Sequence, residues 1–111
     1  MDFSSLYLMD EQNVRNFINS QLSHPYPQTF IGFKRQLEAL LNFDSTQWYK
    51  QIQGPALIIG SDEDLLCPRD SETLANHIWD AKFIEFHRVA HCPMIEKPRE
   101  YVGIISNFLK S

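Results

Sequence analysis

Three features that assign proteins to specialised classes are absent or scarce in this 111-residue sequence. There are only two cysteines, Cys67 and Cys92, which leaves room for one disulfide bridge at most. No apolar run approaches the roughly 20 residues needed to cross a bilayer. The ten Lys and Arg residues are scattered and the net charge is −4, so we expect neither a nucleic-acid surface nor a membrane surface.

The start of the sequence also lacks a targeting signal. Met1-Asp2-Phe3-Ser4 has no basic region followed by an apolar core, as a secretory signal would. Because thiols stay reduced in the cytoplasm, we expect free, buried thiols at Cys67 and Cys92. The sequence therefore predicts a soluble, cytoplasmic protein.

The composition is that of one globular domain. Hydrophobic residues make up 43% and charged residues 22%, which is ordinary for a folded chain and argues against disorder. At this length there is room for a single domain and for no multi-layered enzyme.

The first half of the chain is predicted to be helical. Residues 1–9 have no clear period, so we expect them to be loosely held. Helical spacing of apolar residues predicts a helix over 11–22, which His24-Pro25-Tyr26-Pro27 ends, and a second helix over 28–42. Residues 44–46 are N-cap candidates for a short helix through Trp48 and Tyr49. Four aromatic residues of this half could line a cleft under a cap, but their spacing favours packing in a core: Phe30, Phe33, Trp48 and Tyr49.

The second half alternates strands with helices. Residues 56–59 (ALII) form a short apolar run that ends at Gly60, which predicts a strand buried on both faces. A helix is expected to begin near Asp70 or Ser71 and to bury Leu74, Ala75 and Ile78, and residues 82–87 predict an edge strand. The last helix starts with Pro98 and is expected to bury Tyr101, Val102, Ile105, Phe108 and Leu109. A helical crossover makes the two strands parallel.

Two strands are too few for a parallel sheet, which is normally wider and covered on both faces. The first strand is as apolar as a central strand, and one of its edges would be left unpaired. An unpaired edge invites pairing with another chain. The sequence therefore predicts a partner, either a second copy of the chain or the missing part of a larger fold.

The residues suited to chemistry follow these two strands. The loop after the first strand reads GSDEDLLCP and holds Asp64, and the loop after the second reads AHCPMIEKP and holds His91. Both loops lie at the carboxyl ends of parallel strands, where open α/β sheets place their functional groups. The spacing of Asp64 to Pro68, and of His91 to Pro93, Glu96 and Pro98, resembles the closing region of α/β-hydrolases, with Ala90 in place of the usual glycine.

The resemblance implies an α/β fold in which the chain forms a C-terminal portion. Residues 1–52 would be a mostly helical, cap-like segment, and residues 53–111 would be the last strand-helix-strand-helix part of the core. Asp64 is then the acid of a catalytic triad, and His91 is its general base. Asp62 and Glu63 are the alternative acids, and Glu96 is expected to anchor the histidine loop through backbone hydrogen bonds.

The nucleophile of such a triad is missing from the sequence. The four glycines, Gly32, Gly54, Gly60 and Gly103, do not form a Gly-x-Ser-x-Gly elbow. We therefore expect hydrolase ancestry, with ester, amide or lactone chemistry, but no activity from the isolated chain. A second polypeptide that carries the elbow would complete the site.

Other interpretations stay open. The chain could be a non-catalytic interaction module that forms a homodimer through its free sheet edge. Asp62, Glu63 and Asp64 could hold Mg²⁺, although no phosphate loop accompanies them, and a cysteine could act as nucleophile, although neither lies at an elbow. We expect no cofactor, and we interpret His24, His77 and His87 as structural.

Overall fold

A computed structural model of the chain describes residues 2–68 and 70–111. Six α-helices, two strands and a 3₁₀ turn lie along these residues in the order α1 (Ser5–Leu8), α2 (Glu11–Leu22), α3 (Phe30–Asn42), the 3₁₀ turn (Tyr49–Gln51), β1 (Gln53–Ser61), α4 (Asp70–His77), β2 (Trp79–Phe86), α5 (Pro93–Glu96) and α6 (Pro98–Lys110). The fold is mixed α/β, as the sequence predicted.

The two helices of the first half occur where apolar spacing predicted them. Helix α2 covers the predicted range, with the Asp10 side chain accepting the Gln12 amide at its start. Helix α3 begins two residues later than predicted because the Thr29 side chain accepts the amide of Gly32 and caps it. The short helix expected after residue 46 is only a 3₁₀ turn.

The sheet contains the two parallel strands that the sequence predicted. Their continuous register runs from Ala56 opposite Ala81 to Ser61 opposite Phe86. Helix α4 forms the crossover and packs on both strands. It approaches β1 closely at Gly60, where a side-chain Cβ would lie 2.9 Å from Ser71 Cβ, and the Ser71 hydroxyl donates to the carbonyl of Ile59. The absence of a side chain at residue 60 therefore sets the distance between helix and strand.

The core is small and lies around the end of β2 and the loop that follows it. Among the described residues, the buried apolar ones are Ile78, Phe86, Val89, Ala90, Cys92 and Pro93. Strand β1 was predicted to be buried on both faces, and this is wrong for the chain as it stands. Its residues 56–61 are only half-buried, because within residues 2–68 and 70–111 only one of its edges is paired.

The apolar stripes of α2 and α3 have little to pack against. Neither helix contains a buried residue, and Phe30 is 80% exposed. The expectation that the aromatic residues form a core is wrong for Phe30, Phe33 and Trp48, which are all exposed. In α6, Val102 and Leu109 are likewise exposed rather than buried. The exposed faces of α2, α3 and α6 are thus as apolar as a protein core, but no helix or strand of the described residues covers them.

The N-terminal residues are held firmly, contrary to the expectation of a loose segment. Ser4 is 2% exposed, and its hydroxyl caps α1 by accepting the amide of Tyr7 at 3.2 Å. Phe3 stacks on the ring of Tyr7 and meets Phe17 edge to face. Helix α1 has a single turn, which is too short to show a helical spacing of apolar residues in the sequence. Met1 lies outside the described residues.

Neither cysteine forms a disulfide bridge. Cys92 is buried, as expected, but Cys67 is exposed, because it lies in the turn between β1 and α4. No helix in residues 2–68 and 70–111 has the length and apolar character to cross a membrane.

Candidate active site

Asp64 lies in the tight turn that follows β1. Its Oδ1 accepts hydrogen bonds from the backbone amides of Leu66 at 2.9 Å and Cys67 at 3.0 Å. Asp side chains commonly stabilise turns in this way. The same bonds fix the direction of the carboxylate, so that its second oxygen faces the loop after β2.

His91 lies in that second loop and contacts the carboxylate directly. Its Nδ1 is 3.0 Å from Oδ2 and 3.2 Å from Oδ1 of Asp64. The Asp64 side chain is 13% exposed, whereas the His91 side chain is 40% exposed. With Nδ1 donating its proton to the carboxylate, Nε2 on the other side of the ring is left as a proton acceptor. The structure thus brings together the two residues that the sequence singled out.

The environment of Asp64 favours its charged form. Partial burial raises its pKa, but the hydrogen bonds from the Cys67 amide, the His91 ring and the Leu66 amide together lower it, and the net shift is downward. Asp64 is therefore ionised near neutral pH, which suits it to orient and stabilise an imidazolium.

The alternative acids, Asp62 and Glu63, have partners other than His91. The Asp62 carboxylate accepts the backbone amides of Arg88 at 2.8 Å and Val89 at 3.4 Å, and His87 Nδ1 lies 3.4 Å from it. The half-buried Glu63 forms an ion pair with the exposed Arg88 at 3.8 Å. Asp62 thus holds the start of the histidine loop, and neither acid contacts His91.

Glu96 anchors the histidine loop, as predicted. Its Oε2 accepts the backbone amide of Ala90 at 3.1 Å, one residue before His91. The sequence gave no indication of its other partner, Ser4, whose amide donates to Oε2 at 3.1 Å and whose hydroxyl donates to Oε1. The two residues are 92 positions apart, so no local pattern could have revealed the contact.

Asp64 and His91 border an open cleft of about 610 Å³. Of the four aromatic residues considered for a cleft, Tyr49 lines it. The rest of the lining combines apolar side chains from the sheet and from α4, α5 and α6 with small hydroxyl residues, among them Ile59, Leu74, Met94, Tyr101, Ser45, Thr46 and Ser71. The cleft is large enough for a small organic substrate.

The two thiols are poor candidates for a nucleophile. Although Cys67 is largely exposed, partial desolvation of its thiol and the nearby charges of Asp64 and Asp70 raise its pKa. Burial and the Glu96 charge raise the pKa of Cys92. A thiol is reactive as the thiolate, so these upward shifts disfavour both cysteines as nucleophiles.

Three further histidines have local partners that fit a structural interpretation. His24 Nδ1 accepts the Tyr26 amide at 3.1 Å, His77 Nδ1 lies 2.8 Å from the Thr73 carbonyl, and His87 contacts Asp62. No group of three or more His, Cys, Asp or Glu side chains suited to a metal ion occurs in the described part of the chain. Asp62 and Asp64 turn their carboxylates to different partners in the histidine loop, the Arg88 and Val89 amides and the His91 ring, so the structure gives the Mg²⁺ interpretation no support.

The chain is similar in sequence to two enzymes. It is 38% identical to a proline iminopeptidase of Heyndrickxia coagulans over 72 residues, which cover 65% of this chain and 25% of that protein. It is 31% identical to a pyrrolizixenacetamide deacetylase of Xenorhabdus hominickii over 81 residues, which cover 72% of this chain and 30% of that protein. The chain therefore spans less than a third of the length of these relatives. No family model matches it.

A solved structure has the same fold over nearly the whole chain. It is the crystal structure of a His-tagged serine hydrolase involved in carbazole degradation, the CarC enzyme, with a TM-score of 0.68 and 15% sequence identity. The likeness covers 97% of this chain and 43% of that one. The fold and the two sequence relatives agree, and the chain belongs to the α/β-hydrolase superfamily, of whose members it spans a part.

Proposed function

We propose that this chain supplies the acid and the general base of a hydrolase that cleaves ester, amide or lactone bonds. The observation that carries the proposal is the pair formed by His91 Nδ1 and Asp64 Oδ2, 3.0 Å apart at the border of a cleft. Asp64 holds the imidazole so that Nε2 accepts the proton of a hydroxyl nucleophile as it attacks a carbonyl carbon. His91 then returns that proton to the leaving group, and Asp64 stabilises the imidazolium in between.

The nucleophile comes from outside these 111 residues. A triad without it performs no acyl transfer, and no Gly-x-Ser-x-Gly elbow occurs in the sequence. The relatives are three to four times as long as the matched region, and the open edge of β1 supports the docking of a further parallel strand beside it. The strand that leads to the elbow would bring the serine to the same end of the sheet as His91.

A chimera tests the proposal. The 72-residue matched region of the Heyndrickxia coagulans proline iminopeptidase is replaced by the corresponding region of this chain, and hydrolysis of a proline nitroanilide and of a short nitrophenyl ester is measured. We expect turnover by the chimera and none by the isolated chain. His91→Ala should abolish turnover, and His87→Ala, a substitution of an exposed histidine outside the cleft, should preserve it.

Two results would contradict the proposal. Turnover by the isolated chain that disappears with His91→Ala would mean that the nucleophile lies within it. A folded, active chimera that is indifferent to His91→Ala would mean that His91 is not the base. Circular dichroism of each variant separates loss of the fold from loss of the chemistry.

One set of observations favours a second candidate, a non-catalytic module that forms a homodimer. The unpaired edge of β1 and the exposed apolar residues of α3 leave surfaces that a second copy could cover. Light scattering after size exclusion distinguishes the two. A stable dimer that persists when the missing hydrolase part is supplied supports the module, and a dimer that this part displaces supports the hydrolase.

A further inference from the structure

We propose that the segment Asp2-Phe3-Ser4, here named the N-terminal clasp, positions the His91–Asp64 pair. The inference rests on the proposed function of that pair and adds positioning residues to it. The clasp is more than 60 positions away from both loops in sequence. It is nevertheless hydrogen-bonded to one loop at Leu65, next to Asp64, and to the other at His91 itself.

On the histidine side the clasp holds the backbone. The carbonyl of Asp2 accepts the amide of His91 at 3.2 Å. Ser4 donates its amide and its hydroxyl to Glu96, whose Oε2 also accepts the amide of Ala90. Ser4 and Ala90 are almost fully buried, so water cannot replace these bonds without opening the core. The backbone that carries the imidazole is therefore fixed at two successive residues.

On the acid side the clasp holds the turn. The Asp2 carboxylate accepts the amide of Leu65 at 2.7 Å, one residue after Asp64. Asp2 thus contacts both loops, through its carbonyl on one side and its carboxylate on the other. Asp2 therefore connects the loop of Asp64 to the loop of His91, in addition to the direct hydrogen bond between those two residues.

The clasp is also joined to the helical part of the chain. The Phe3 ring stacks on Tyr7 with centroids 4.8 Å apart and meets Phe17 of α2 at 5.3 Å. The Asn13 side chain of α2 donates to the Tyr7 carbonyl at 3.0 Å. Through Phe3 the clasp therefore contacts both the helical part of the chain and the two loops. Catalytic groups need placement to within about 0.5 Å, so this connection suits a positioning role.

The test reads the histidine ring itself and needs no turnover. The full chain, labelled with ¹⁵N, is examined by long-range ¹H–¹⁵N NMR at a pH where the imidazoles are neutral, and the fraction of His91 protonated at Nδ1 is measured. We expect the Nδ1–H tautomer to dominate in the parent chain. Asp2→Ala and Ser4→Ala should each lower that fraction at least twofold, toward the mixture of a free histidine.

Matched variants separate positioning from general loss of structure. Asp2→Asn keeps an oxygen that accepts the Leu65 amide and should restore the parent fraction. Ser5→Ala changes an exposed serine next to the clasp and should have no effect. Unchanged His91 tautomers in Asp2→Ala and Ser4→Ala, with thermal melts that show folded chains, would overturn the proposal.

Asp64→Asn distinguishes this proposal from the one on which it rests. If Asp64→Asn shifts the tautomer but the clasp variants do not, the pair exists and the clasp does not position it. If Asp64→Asn leaves the tautomer unchanged, the pair itself is absent and the proposed function fails with it.

Discussion

Asp62 Oδ1 accepts the backbone amide of Arg88 at 2.8 Å. This bond joins the turn after β1 to the turn after β2, two residues before Asp64 and three residues before His91. Arg88 has a φ of 58°, in the left-handed region that non-glycine residues adopt infrequently. The carboxylate of Asp62 therefore supports an unusual backbone conformation at the base of the histidine loop.

Removing this support should destabilise the chain. We expect Asp62→Ala to lower the free energy of unfolding by about 1–2 kcal/mol, because the amides of Arg88 and Val89 lose a charged acceptor. Asp62→Asn keeps an acceptor oxygen and should cost less. Urea unfolding measures both, and Glu63→Gln, which removes only a long ion pair with the exposed Arg88, should change stability by less than about 0.5 kcal/mol. Equal effects of Asp62→Ala and Glu63→Gln would contradict the interpretation.

Two glycine substitutions should act in opposite directions. A Cβ at Gly60 would lie 2.9 Å from Ser71 Cβ and 3.2 Å from the Phe83 ring, so Gly60→Ala should destabilise the chain by about 1–3 kcal/mol through overpacking. A Cβ at Gly103 meets no atom within 4 Å, and the residue lies inside α6. Gly103→Ala should stabilise by about 0.5–1 kcal/mol. Thermal unfolding of both variants checks the sign, and a stabilising Gly60→Ala would disprove the close approach of α4.

Stability should depend on pH through Asp64. Its pKa in the folded chain is lowered from the ordinary value of 3.8, so its ionised form stabilises the fold. That contribution is complete above the unfolded pKa, near 3.8, and is lost as the pH falls through the lower folded pKa. The difference in unfolding free energy between the parent chain and Asp64→Asn should shrink as the pH falls below about 4. A difference that grows as the pH falls below about 4 would mean that the shift has the opposite sign.

In a completed enzyme, the acid should affect turnover more than binding. Asp64→Asn preserves the size of the side chain but disturbs the tautomer of His91, and we expect kcat to fall by about 10³–10⁴-fold with KM little changed. The active chimera allows this measurement, and Asp80→Asn, a change outside the cleft, is the control. An increase in KM with kcat unchanged would instead assign Asp64 to substrate binding.

Exposed leucines on α3 should drive association of the isolated chain. Leu40 and Leu41 are 73% and 76% exposed, and surfaces of this kind are normally covered. We expect Leu40→Lys with Leu41→Lys to reduce the mass measured by light scattering, because a lysine resists desolvation at an interface. Asn42→Lys on the same helix adds one such charge outside the apolar stripe and should leave the mass unchanged. If only the control changes the mass, association does not use these leucines.

The parts of the fold that depend on local pattern were predictable. The apolar run before Gly60 and the helical crossover were enough to predict parallel strands. Pro98 predicted the start of α6, and the family pattern around Asp64 and His91 led to the pair. Each of these signals lies within a few residues, and the parallel topology then brings the two loops together.

The parts that depend on distant contacts were not predictable. Ser4 and Glu96 meet across 92 positions, and Asp2 carries no sequence signal that separates it from a solvent-exposed acid. The exposure of Phe30 and Val102 was missed for another reason. Apolar spacing predicts which face a helix buries, but it cannot predict whether the element that would cover this face belongs to the same stretch of chain.

The parallel pairing of β1 with β2 has a consequence for how such an enzyme could be divided. The acid and the base lie in the loops that follow these two strands, and the clasp that contacts both loops begins at Asp2, so a break upstream of Asp2 leaves acid, base and clasp together on one piece. The proton relay would then be assembled before the pieces meet, and docking would have to set a single distance, from the serine oxygen to the imidazole. Activity recovered from two pieces would therefore rise with their concentration as a simple binding curve, with no slower step for building the relay.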